Sequence, residues 1–294
     1  MAFTDTDLPY GKEVFQETLA IHKYLTHCKT NPQPPGFADY LRGTIALYNA
    51  SKQHGYQLRL DNTHPLFKYI QPHPNHVTYE SDELSELLPP YDYKDIYNKI
   101  NEVCSSGKSF ATMTNSFYTL KNGSVDNWGP ISDDCRDYLK ESFTPSAVLS
   151  NNVDTIVRSV YKIQEGEKFK AIHIRFGDRF IHGNMEDEYL YNMAYAKISE
   201  LIRQDTSFKY VLLTDSSAIG SKLHANIPGL GYWDNKKVHL GDLINDEGTA
   251  LLDTLTDFFI LSRASEIVSD IRIHGSGFST VASLMFNIPY RTNL

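Results

Sequence analysis

The chain is poor in cysteine: Cys28, Cys104 and Cys135 are its only three in 294 residues. An odd, widely spaced set without a Cys-x-x-Cys pair excludes a disulfide scaffold and a thiolate zinc site. Long apolar runs are lacking as well, and no stretch approaches the ~18 residues that a membrane-spanning helix needs. Positive charge is not in excess, with 28 Lys and Arg against 36 Asp and Glu and a net charge of −8. A general nucleic-acid binder needs clustered Lys and Arg to neutralise phosphates, so that class is excluded. A local basic pocket for one small anion is not. The opening residues lack a basic segment followed by an apolar one, so no secretory signal is read there and a cytoplasmic location is expected. There is no internal repeat and no low-complexity tract.

What is present is a globular composition, 41% hydrophobic and 12% aromatic, with length for two ordinary domains or one large one. Apolar spacing predicts a helix over 8–27, stopped by the Pro-rich run 31–36, and a second over 37–53 that ends at Gly55. A strand follows at 56–60, then loop over 61–90, a helix at 91–105, a strand at 110–114 and a helix around 144–164. The Glu165-Gly166-Glu167-Lys168 turn is the expected boundary between domains 1–164 and 165–294. Beyond it the pattern is regular. Strands at 170–174, 210–214, 238–240 and 267–268 alternate with helices at 187–204, 216–225, 247–263 and from 277. Such alternation implies an α/β fold with mostly parallel, doubly wound sheets. Ligands of those sheets bind at the carboxyl ends of the strands.

The residues just after each strand are therefore the candidates. Strand 170–174 ends in His173-Ile174-Arg175-Phe176-Gly177-Asp178, with His173 and Arg175 on one side by alternation. Arg175 can grip a phosphate through its planar fork of donors, or pair with Asp178 across the turn. Further on, Gly275-Ser276-Gly277-Phe278-Ser279-Thr280 opens a helix and offers backbone N–H groups and hydroxyls to an anion, or simply a helix cap. Asp257 can accept from the N1 and N2 donors of a guanine edge, or be a solvated helix carboxylate.

Taken in order, these blocks resemble the fucosyltransferase superfamily with the GT-B fold: protein O-fucosyltransferases, α1,6- and α1,2-fucosyltransferases and the nodulation fucosyltransferase. The matching stretches are Gly36-Phe37-Ala38-Asp39-Tyr40-Leu41-Arg42-Gly43 with the Leu58–Asp61 strand, the His-x-Arg run from His173 to Asp178, the strand-end Thr214-Asp215, and Asp257 through Ser279. The Pro-rich run precedes the glycine loop where the family normally has its first strand. The resemblance implies two Rossmann-like domains, the first facing an oligosaccharide or glycoprotein acceptor and the second holding the nucleotide sugar. It implies inverting, metal-independent transfer of L-fucose from GDP-fucose to a glycan hydroxyl. Arg175 would stabilise the departing GDP. Gly36, Asp39, His173, Asp215, Asp257, Ser276, Gly277, Phe278 and Ser279 would bind the donor, with Ser276–Ser279 around the diphosphate. Alternative readings are a relative using GDP-rhamnose or UDP-xylose, or a catalytically silent glycan-binding module.

Inversion also needs a base for the acceptor proton. Asp178, Glu186, Asp187 and Asp39 are candidates, and Glu186-Asp187-Glu188 can equally be a helix start whose acids complement the dipole. Two apparent motifs fail. Ser106-Gly107-Lys108-Ser109 lacks the glycine a P-loop requires at position 102, and Asp5-Thr6-Asp7 lies where a terminus is expected to fray. His64, His73 and His76 sit in a loop without a fixed frame for a metal.

Overall fold

The computed structural model describes residues 18–24, 35–80, 86–88, 93–115, 117–121, 124–126, 129–180, 187–242, 249–270, 275–292 and 294. They build two five-stranded sheets in which every pairing is parallel. The first contains β1 (Leu19–His22), β2 (Gln57–Asp61), β3 (His76–Val77), β4 (Glu86–Leu88) and β5 (Phe110–Thr114), in the order β3-β2-β1-β5-β4. Between these strands run α1 (Phe37–His54) and α2 (Tyr93–Ser105). A small antiparallel pair, β6 (Thr119–Lys121) and β7 (Ser124–Asp126), leads to α3 (Asp133–Ser142) and α4 (Ala147–Thr155).

The second sheet follows after the 165–168 turn. It contains β8 (Phe169–Ile174), β9 (Lys209–Thr214), β10 (Leu230–Tyr232), β11 (Glu266–Ser269) and β12 (Tyr290–Arg291), ordered β10-β9-β8-β11-β12. Its helices are α5 (Glu188–Gln204), α6 (Ser217–Asn226), α7 (Thr249–Leu261) and α8 (Gly277–Phe286). β8 shows why it occupies the centre. Phe169 and Ala171 face the core formed with α7 and α8, whereas Ile172 and Ile174 face the core formed with α5 and α6. A strand buried on both faces reads as a nearly continuous apolar run.

Helix α1 links the sheets to the cleft. It starts after Gly36 and closes at Gly55, whose φ of 73° is the left-handed cap conformation that glycine favours. Gly43 lets it lie against β5, because a Cβ there would stand 1.9 Å from the Thr114 carbonyl oxygen. The larger core is shared: Leu41, Leu60 and Leu139 belong to the same apolar cluster as Phe258, Val281 and Met285.

Four buried rings stack from the end of β1 towards the second sheet. His22 lies 4.4 Å from Tyr40, Tyr40 4.2 Å from Tyr24, and Tyr24 4.1 Å from His64. Nδ1 of His64 accepts the Leu66 N–H, so Nε2 carries the hydrogen and donates to the Leu240 carbonyl at 3.3 Å. Burial pushes His22 down to about 3 and His64 to about 4. Both are neutral in the fold and charge in the unfolded chain below its ordinary value of 6.5. Stability is thus complete above that value and falls as the pH drops towards the folded values, by about 1.4 kcal/mol per pH unit for each histidine. Urea midpoints measured from pH 7.5 to 4.5 will show this as a steep decline beginning near pH 6.5, and a flat profile would contradict it.

Several expectations are corrected. Residues 19–22 are a strand rather than part of an 8–27 helix, so a first strand does precede the glycine loop; positions 8–17 and 25–27 lie outside the described residues. All but Leu19 in β1 are buried, so it shows no alternation, and four residues are too few to oppose helical spacing. The third strand of the second sheet is 230–232, not 238–240, which is loop running into a 3₁₀ turn. Gly231 hid it: a side chain there would press on the Tyr161 ring at 3.1 Å. The 144–164 helix is shorter, ending in a π-turn over Ile156–Val160, and α3 went unpredicted. Within 61–90, loop is interrupted by a 3₁₀ turn (Pro65–Tyr69) and by β3 and β4.

Candidate functional site

An open cavity lies at the carboxyl ends of β8 and β9, where α1, α7, α8 and the 233–240 loop meet. Its floor is His173 and Arg175 from the end of β8 with Thr214 and Asp215 from the end of β9. Asp215 organises this floor by accepting the Phe176 and Gly177 N–H groups at 2.7 and 2.9 Å. Gly177, with φ of 115°, then turns the chain sharply after Arg175.

Two helices begin at the opposite wall. Gly36 precedes α1 and Ser276 precedes α8, and neither start has a side-chain cap. The starts face each other closely: a Cβ on Gly277 would meet Ala38 Cβ at 3.6 Å and Asp39 Oδ1 at 4.0 Å, and one on Gly36 would meet His239 Nε2 at 2.9 Å. Helix starts present free N–H groups and the positive end of the dipole, which attract an anion. Phe278 stacks on His173 with centroids 5.6 Å apart. Burial, with the Lys237 and Arg175 charges beside it, pushes His173 down to about 3, so its ring is neutral. Among the described residues His173 Nδ1 and Ser276 Oγ are buried without a hydrogen-bond partner.

The remaining wall carries Asp257 and Thr254 of α7 with Lys237, Val238, His239 and Leu240 of the loop. Thr254 Oγ1 accepts the Val238 N–H at 3.1 Å and so pins the loop over the cavity. Lys237 Nζ pairs with Asp257 Oδ2 and also donates to Asn235 Oδ1.

Of the expected donor-binding residues, Gly36, Asp39, His173, Arg175, Asp215, Asp257, Ser276, Gly277 and Phe278 therefore line one cavity. Ser279 does not. Its side chain is buried against Tyr290, 3.2 Å from that hydroxyl, because three residues into a helix the side chain has rotated into the core. Among the base candidates, Asp39 lies on the cavity, paired with Arg42 at 2.9 Å. Asp187 caps α5 through the Leu190 N–H and pairs with Arg179. The side chain of Asp178 and the whole of Glu186 lie outside the described residues. Lys237, His239 and Thr254 were not anticipated; the Asn235-Lys236-Lys237 segment after β10 was the available signal. Among the described residues no group of three or more His, Cys, Asp or Glu side chains is placed to hold a metal ion, and no helix is long and apolar enough to cross a membrane.

No protein-family model matches the chain, and no curated protein matches its sequence. Solved structures do match in fold. Fucosyltransferase NodZ from Bradyrhizobium is 13% identical with a TM-score of 0.56, over 92% of this chain and 93% of that one. A variant of Arabidopsis thaliana FUT1 in complex with GDP is 11% identical with a TM-score of 0.55, over 95% of this chain and 71% of that one. POFUT1 in complex with GDP-fucose is 10% identical with a TM-score of 0.52, over 96% of this chain and 99% of that one. Two parallel sheets, with a cleft at the strand ends of the second, match these molecules over more than nine-tenths of this chain and give the protein the GT-B fold seen in these fucosyltransferase structures.

Proposed function

We propose that the chain is a glycosyltransferase that moves L-fucose from GDP-fucose to a glycan hydroxyl, with inversion at the anomeric carbon and without a metal. In this reading residues 165–294 form the donor-binding domain and 1–164 the acceptor-side domain. The observation that carries it is the convergence on one cavity of Arg175, two uncapped helix starts and Asp257. Structures of NodZ and POFUT1 that hold GDP or GDP-fucose, on the same fold, support it.

The chemistry follows from charge. Breaking the bond between fucose and the β-phosphate leaves negative charge on GDP. A guanidinium at the strand end and the N–H groups of a helix start, already oriented, stabilise that charge as it develops. Asp257 accepts from the guanine N1 and N2 donors, and Ser276, Gly277 and Phe278 wrap the diphosphate. Asp39, opposite Gly277 and on the acceptor side, is the favoured base for the incoming hydroxyl, with Arg42 holding its carboxylate in position.

Thermal shift with GDP, UDP and ADP at equal concentrations tests the donor. GDP is expected to raise the melting temperature by a few degrees at about 100 times its dissociation constant, since a ligand bound only to the folded state adds about 2.7 kcal/mol there. An equal or larger shift with UDP would move the reading to another donor. Release of GDP from GDP-fucose without acceptor separates an enzyme from a silent glycan-binding module.

A further inference from the structure

Asp257 does not meet the cavity as a bare carboxylate. The Lys237 ammonium holds one oxygen, Asn235 Nδ2 lies 3.4 Å from the other, and the side chains of Lys237 and Asp257 are only 12% and 8% exposed. Lys237 comes from the loop that follows β10, and Thr254 fixes that loop to the same helix that carries Asp257. The pair is thus built from two elements locked together.

We propose that Lys237 is a specificity-determining residue for the nucleobase: by holding the buried Asp257 side chain as an oriented carboxylate, it makes that wall select a base edge with two adjacent N–H donors. The inference rests on the GDP-fucose reading and adds a selecting group to it. Guanine presents N1–H beside N2–H, which two carboxylate oxygens can accept together. Uracil presents a single N–H between two carbonyl oxygens, and a carboxylate facing it repels one of them. A protonated or rotated acid loses this discrimination.

The surroundings of Asp257 show why the ammonium is needed. Tyr232 of β10 and Tyr161 each feel the Asp257 charge, and Asp253, one turn back on α7, is a like charge. His173 across the cavity is neutral, and Lys236 acts on Asp253. Burial raises Asp257 above the usual carboxylate range, and Lys237 is the largest influence opposing that rise, with Asn235 adding to it. Without Lys237 the carboxyl takes up a proton at higher pH than before.

Titration calorimetry with GDP, UDP and inorganic pyrophosphate tests this on wild type, K237M and K237R between pH 5 and 8. K237M is expected to lose about tenfold in GDP affinity while UDP and pyrophosphate stay within about twofold, the loss of a charged hydrogen-bond partner acting on the base alone. Because the ionised carboxyl binds and its proton affinity has risen, GDP affinity in K237M will begin to fall at higher pH than in wild type as the solution is acidified. K237R, which keeps the charge, is expected to recover most of the preference. Equal losses for all three ligands would assign Lys237 to the diphosphate and overturn the proposal, as would an unchanged GDP preference. If circular dichroism shows K237M unfolded, K237Q replaces it, keeping a hydrogen-bond donor without the charge: a weakened GDP preference supports the proposal and an unchanged one defeats it. A wild-type protein that binds no GDP overturns the donor reading itself, and this proposal falls with it.

Discussion

Arg175→Ala is expected to slow release of GDP from GDP-fucose by about 10²–10³-fold, the range seen when a preoriented stabiliser of developing charge is removed. The substitution should spare the fold. Arg175 follows β8 rather than filling a core, and the turn it starts is held by Asp215 through the Phe176 and Gly177 N–H groups, with the Arg175 charge favouring the ionised Asp215 carboxylate. The melting temperature of the variant is therefore expected to stay within a few degrees of wild type while turnover collapses. Arg175→Lys keeps the charge but loses the planar fork, so an intermediate rate is expected. A fully active Arg175→Ala protein would remove this residue from the chemistry and, with it, the reading of the cavity as a diphosphate site.

The largest loss of stability is expected from Gly43→Ala. Alanine normally improves a helix interior by about 1 kcal/mol over glycine. Here the new methyl would stand 1.9 Å from the Thr114 carbonyl oxygen and 2.8 Å from its carbon. Those are backbone atoms of β5 and cannot rotate aside, so α1 must lift from the sheet. The overpacking cost exceeds the propensity gain, and a net loss of at least about 2 kcal/mol is expected in urea unfolding. Gly277→Ala is the contrast. Its methyl would meet Ala38 at an ordinary 3.6 Å, and a change under about 1 kcal/mol is expected. If Gly43→Ala proves as mild as Gly277→Ala, the close approach of α1 to β5 is wrong.

The second half was far more legible than the first. From β8 onward most strands are apolar runs of four to six residues, and each is followed by a helix with a recognisable start, so type and order were readable. In the first half β1, β3 and β4 have four residues or fewer, and tertiary packing rather than local pattern makes them strands. The same division governs the cavity. That Arg175, Asp215 and Ser276 would line one cavity was legible because they directly follow strands or open a helix, positions with a mechanism behind them. Lys237 and His239 were not, since a three-residue apolar stretch imitated a strand where the chain is a loop held by Thr254. Ser279 was misplaced because motif position says nothing about which way a helical side chain turns. Asp39 could be preferred to Asp187 only once distances were available.

The apolar cluster that joins both sheets carries a consequence for how this protein melts. Residues from α1, α3 and α4 pack with α7 and α8 in one cluster that spans both sheets, whereas the α5–α6 face of the second sheet has a core of its own. Separating the chain near 165 would strip each piece of part of its shared interior. The shared cluster also covers the α7–α8 face of β8 and β11, so loss of the first sheet's packing is expected to cost the second sheet one of its two covered faces.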